Sequence, residues 1–150
     1  MTIQWLDLED QQFGSRRSAA LETGCSISIT KARSSYSKKS KVTYHYKTCI
    51  RIRLSLADAD NIGFHADDMV KIGYDPDENL FAIQKVENGD RMIRPYETGK
   101  GKTKKLVGII VYWYPEEGMP FYNYQRKIYS TPAKWNFGNH TLTVQLPSSI

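Results

Sequence analysis

The side chains best suited to chemistry in this chain are basic and aromatic rather than nucleophilic. Positions 23–57 hold no Asp or Glu, while Lys31, Arg33, Lys38, Lys39, Lys41, Lys47, Arg51 and Arg53 supply cations. Tyr36, Tyr44, His45 and Tyr46 are interleaved with them. Cations neutralise phosphates in a salt-dependent way, and aromatic rings stack on bases at about 1–3 kcal/mol per base, so this mixture points to a nucleic-acid groove. The competing reading is a solvated strand face whose tyrosines pack beneath lysine stems; the unbroken absence of acid favours the groove. The expected site is therefore Lys31, Arg33, Lys38, Lys39, Lys41, Tyr44, Tyr46, Lys47, Arg51 and Arg53. Lys100, Lys102, Lys104 and Lys105 form a second phosphate contact if their loop folds beside the first tract.

Catalytic and metal chemistry finds little support. His45, His65 and His140 stand in unrelated contexts, outside any nucleophile or acid–base pattern. Cys25 and Cys49 form no CxxC pair and have no His cluster nearby, so two reduced thiols are expected rather than a zinc site or a disulfide framework. Asp67 and Asp68 with Asp75, Asp77 and Glu78 lack EF-hand spacing and read as a charged turn. Gly101-Lys102-Thr103 matches the end of a phosphate-binding loop, but Tyr96 stands where the first glycine is required and no helix-forming run follows. The expectation is a non-enzyme with no metal and no cofactor. A nucleotide-processing enzyme would instead need His45 or His140 among polar groups converging on a pocket.

The elements that must position these residues read mainly as β. A chain of 150 residues with 40% hydrophobic and 25% charged residues fits one folded domain, and its 12% aromatic content suits pleated sheet. Residues 1–24 lack periodicity and read as an N-terminal arm, leaving 25–150 as a single β-rich domain. Ser26–Thr30 alternates with period two, and Ser34–Lys41 reads as an exposed hairpin loop. Val42–Leu54 resumes alternation, with Ile50, Ile52 and Leu54 on one face and Arg51 and Arg53 on a cationic one. Leu56–Ile62 forms one or two helical turns capped by Gly63. Met69–Tyr74 and Leu80–Val86 make a hairpin across Asp75–Asn79. Arg91–Pro95, Leu106–Tyr114, Tyr122–Tyr129 and Thr141–Leu146 follow as strands, with Tyr112, Trp113 and Tyr114 facing Phe121, Tyr122 and Tyr124 across a hairpin.

Arg51–Val86 resembles the AbrB-like swapped-hairpin module. Arg51, Leu54 and Leu56 match its first strand, Ile62-Gly63-Phe64 its apolar-Gly-apolar step, Asp68 its turn, and Val70, Ile72, Leu80 and Ile83 its hairpin. The resemblance implies a small barrel or sheet with one or two short helical turns, completed either by the C-terminal strands Trp135–Leu146 or by a second copy in a swapped homodimer. Asp58 and Asp60 occupy the helical turn where DNA-gripping members commonly carry basic residues, so only Arg51 and Arg53 match them in charge.

Twelve of the sixteen acids lie from Asp58 onward, so the net charge of +5 is segregated along the chain. The N-terminus has no signal-like apolar core and no run suits a membrane span, so a cytoplasmic location without membrane contact is expected. The functional expectation is a DNA- or RNA-binding protein, either a transcriptional regulator or a single-strand binder of phage or mobile-element style. The alternative is an inhibitor or adaptor whose basic face grips an acidic surface of a host protein.

Overall fold

In the computed structural model, which describes residues 3–6, 24–122, 124 and 127–146, strands account for most of the chain. The first five are β1 (Gln4–Trp5), β2 (Cys25–Thr30), β3 (Arg33–Ser37), β4 (Val42–Tyr46) and β5 (Cys49–Ser55). The helix α1 (Leu56–Ile62) precedes β6 (Met69–Asp75), β7 (Leu80–Lys85), β8 (Arg91–Met92) and β9 (Arg94–Thr98). A 3-10 turn at Gly101–Thr103 leads to β10 (Lys105–Trp113), β11 (Ile128–Ala133), β12 (Trp135–Gly138) and β13 (Thr141–Gln145). No helix among the described residues is long and apolar enough to cross a membrane.

Two antiparallel sheets share one core. The first runs β11-β2-β5-β10-β9, and the second β1-β6-β7-β13-β12 with β8 also on β6. Period-two alternation turns Ile27, Ile52 and Val111 of the first sheet toward Ile72, Ile83 and Val144 of the second, all within one buried cluster. Phe81 meets Trp113 edge-on at 5.0 Å between ring centroids, joining the layers. Burying side chains of this size contributes about 1.5–3 kcal/mol each. That shared burial is satisfied by stacking, so no closed barrel forms among the described residues: the hairpin β12–β13 extends β7 edgewise, and β1, β12, β11 and β9 end their sheets.

The helix α1 carries the chain from one sheet to the other. Ser55 caps it, accepting from the Asp58 N–H at 3.3 Å, and Gly63 ends it in the left-handed conformation at φ 81°. Asp58 accepts from the Gly24 N–H at 2.8 Å and from the Ser55 hydroxyl at 2.9 Å, so its carboxylate is occupied in holding this junction. Phe64 then enters the core, edge-on to Phe137 at 5.9 Å.

Three sequence expectations need correction. Arg33–Ser37 is strand, so the loop shrinks to residues 38–41, with Lys41 at φ 55°. The run from Val42 to Leu54 breaks at Lys47–Thr48. The returning strand begins at Ile128 and pairs with β2 rather than β10, because β5 and β9 already occupy both edges of β10. No aromatic ladder therefore crosses a β10 hairpin; Phe121 packs on Tyr74 at 5.4 Å and Phe81 at 5.5 Å instead. Of the expected N-terminal arm, Gln4 and Trp5 pair with Tyr74 and Gly73 of β6, where a Cβ on Gly73 would collide with the side chains of Ile3 and Trp5. Most of the remaining arm lies outside the described residues.

Candidate nucleic-acid interface

Strands β2 and β5 do not end their pairing at the sheet boundary. Thr30 opposes Cys49, and three positions on Arg33 opposes Tyr46, so β3 and β4 prolong the same hairpin in the same register. Beyond the break at 31–32 and 47–48 the hairpin leaves the sheet as a free two-stranded ribbon. Every residue of β3 and β4 is exposed except the half-buried Ser37. An isolated two-stranded ribbon is marginal in water. This one is braced by the Arg33 guanidinium over the Tyr46 ring at 4.6 Å, a Ser34–His45 hydrogen bond of 2.9 Å and a Ser40–Tyr44 contact of 3.3 Å. Its root is fastened by buried Thr48, whose hydroxyl donates to the Tyr122 carbonyl at 3.2 Å.

At that root lies a cleft of about 310 Å³. Lys31 and Lys47 enter it from the break, Arg33 and Tyr46 from the ribbon, Arg51 from β5, Tyr114 from the end of β10, and Lys127 from just before β11. They meet because β2, β5 and β10 are neighbours, and because Ile128 pairs with Ile29 near the end of β2. Thr30 and Cys49 complete the lining, and among the described residues no carboxylate is part of it. Among the described residues Lys31, Arg33, Lys47 and Lys127 form no ion pair within 4.0 Å. Uncompensated like charges around a low-dielectric concavity focus a positive field that attracts anions.

The neutral groups of the cleft stay neutral. Burial pushes the Cys49 thiol up to about 11, outweighing the opposing influence of Arg51 and Arg91, and pushes the Tyr114 hydroxyl up to about 12. At neutral pH Cys49 is thus a poor nucleophile, and Tyr114 brings a ring without a negative charge.

The other expected site residues are dispersed. Lys38, Lys39 and Lys41 sit at the ribbon tip, exposed but remote from the cleft. Arg53 is not a surface cation: only 4% exposed, it donates through Nε to the Ser26 hydroxyl at 3.2 Å and through a terminal nitrogen to the Ser130 hydroxyl, with its plane over Tyr96 at 4.8 Å. Alternation put it opposite Ile52 as expected, but on that face the Tyr96 ring and the Ser26 and Ser130 hydroxyls, from β9, β2 and β11, enclose its guanidinium. Lys100, Lys102, Lys104 and Lys105 cluster at the start of β10, whereas the cleft is at its end. The nine residues of β10 separate the two by roughly 27 Å, so the tracts do not share a surface. Lys104 is also paired with Glu97 at 3.0 Å.

Lys127 was not anticipated, and Tyr114 was read as part of an aromatic hairpin. The signal available for Lys127 was local: it stands among Tyr122, Tyr124 and Tyr129, repeating the basic-aromatic interleaving of residues 31–53. A larger cleft of about 660 Å³ lies between Phe64, Phe137 and the carboxylates of Asp67, Asp68 and Glu87. Burial opposes ionisation of Asp68, but the His65 N–H and Lys85 at 3.1 Å outweigh it and hold the carboxyl below its usual range. No group of three or more His, Cys, Asp or Glu among the described residues is arranged to hold a metal ion. Comparison with protein-family models, curated proteins and solved structures gives no match for this chain.

Proposed function

We propose that the protein is a nucleic-acid-binding module, with the cleft at the ribbon root as its phosphate site and the ribbon as its contact arm. One observation carries this reading: five cations and two tyrosines converge on a single concavity with no carboxylate among the described residues that line it. Phosphates accept from lysine as a point charge and from arginine through its planar fork, and the rings beside them offer stacking surfaces. An acidic protein surface, the competing partner, would satisfy the lysines without calling for the rings of Tyr46 and Tyr114 beside them.

Removing the charges tests it. The combined Lys31→Ala, Lys47→Ala and Lys127→Ala variant is expected to bind oligonucleotides more weakly whatever their sequence. Its slope of log affinity against log salt should be shallower by about two to three. Lys100→Ala with Lys102→Ala, at the other end of β10, should change neither quantity. Equal affinity and slope in the triple variant and the original chain would remove the cleft from binding.

A further inference from the structure

Exposed aromatic side chains concentrate on the ribbon and beside its root: Tyr36, Tyr44, Tyr46 and Tyr129 are all at least 46% exposed. Residues directly opposed in an antiparallel pair share a face, so Arg33, Tyr46, Ser35, Tyr44, Ser37 and Val42 form one side of the ribbon. Tyr36 lies on the other side, opposite Thr43. Tyr44 and Tyr46 are alternate residues of β4 and therefore stand about 6.8 Å apart along the strand. Arg33 pins the Tyr46 ring, and Tyr46 with Tyr114 lines the cleft. The result is a row of three rings running from the ribbon into a cationic concavity.

We infer that the ligand of this row is an unpaired, extended nucleic-acid strand, one nucleotide of which sits in the cleft while its neighbours stack on Tyr46 and Tyr44. This rests on the nucleic-acid reading above and specifies the form of the ligand. Bases within a duplex strand are stacked at about 3.4 Å and offer no free faces, whereas rings spaced at twice that distance match bases pulled apart. The cleft is also concave and, at about 310 Å³, at the small end of pockets that hold small molecules. It suits one nucleotide rather than the convex flank of a double helix. Side-chain stacking tolerates any base, so the row should grip strands of mixed sequence over on the order of three nucleotides.

The test measures equilibrium binding of the full chain, at about 0.15 M salt, to three probes of about 12 units each. They are a thymidine strand, its blunt duplex with the complementary adenosine strand, and an abasic strand that keeps the phosphates and lacks the bases. The thymidine strand should bind at least about tenfold more tightly than either of the others. Tyr44→Leu and Tyr46→Leu should each lower its affinity by about 5- to 100-fold while leaving abasic binding unchanged, and Tyr36→Leu, on the opposite side, should lower neither. Tighter binding of the duplex overturns the inference and leaves the nucleic-acid reading standing. So does equal binding of all three probes, which would mean that phosphates alone are gripped. Binding of none of them overturns the nucleic-acid reading itself.

Discussion

From Cys25 to Thr30 and from Cys49 to Ser55 the long hairpin buries Ile27, Ile29, Ile50, Ile52 and Leu54; nearer its turn, from Arg33 to Ser37 and Val42 to Tyr46, it buries no side chain at all. The two halves keep one register across the break at 31–32 and 47–48, so register does not distinguish them. What differs is the second face. In the sheet-bound half every alternate residue is apolar and meets the opposing sheet, whereas Ser34, Ser35, Tyr36 and Thr43, Tyr44, His45 present polar or amphipathic groups on both sides. A ladder of hydrogen bonds sets which residues face each other, and apolar burial sets how strongly they are held. The outer half is thereby released from packing duty and is left with contacts to make, while its low burial predicts local opening well before global unfolding.

The contrast can be broken most severely from within the buried half. Ile52→Ala removes a side chain only 2% exposed at the centre of the first sheet, and should cost about 2–5 kcal/mol in denaturant unfolding. Tyr44→Ala, in the same hairpin, should cost no more than about 0.5 kcal/mol. A comparable loss from both would mean that the ribbon is packed after all.

Alkaline pH probes the same half by a second route. Burial, reinforced by the charge of Asp58, raises the Cys25 thiol from 9.0 to about 12, and burial raises Cys49 to about 11. A thiol whose folded value is raised favours the native state fully below its unfolded value, and the contribution disappears as pH climbs through the folded value. Tm should therefore fall between pH 9 and about 12, and more gently in Cys25→Ala at constant ionic strength. A flat profile in the original chain would contradict the burial of these thiols.

Removing the ribbon altogether should disturb stability least. Because Ala32 and Lys47 are the next pair in the common register, residues 33–46 can be excised symmetrically and replaced by an Asn-Gly turn without shifting any pair in the sheet. The shortened chain should keep its unfolding free energy within about 1 kcal/mol and lose most of its oligonucleotide affinity. A collapse of stability would show the ribbon to be a structural element.

Much of this organisation was legible because its signals are local. Alternation of serine with isoleucine announced β2, Gly63 announced the end of α1, and Asp75–Asn79 announced the turn between β6 and β7. The acid-free stretch announced the cationic cleft, to which it contributes Lys31, Arg33, Lys47 and Arg51. Arg53 was misplaced because alternation assigns a residue to a face and says nothing of what covers that face. The lysines at 100–105 were misplaced because proximity depends on strand order: with β10 antiparallel to β5, their loop is carried to the end away from the ribbon. The resemblance of one segment left barrel and sheet both open, because the edges left unpaired depend on every strand at once.

Residue order alone was enough to specify strands, turns and a stretch of chain that repels its own kind and attracts anions, since period, capping and charge are properties of near neighbours. Which cations meet, which are sealed inside and which are carried far apart followed from long-range pairing, which brings Lys127 to Lys31 and removes Lys105 from both. Coulomb energy depends on distance through space and on the surrounding dielectric, and neither is defined until the sheets have packed.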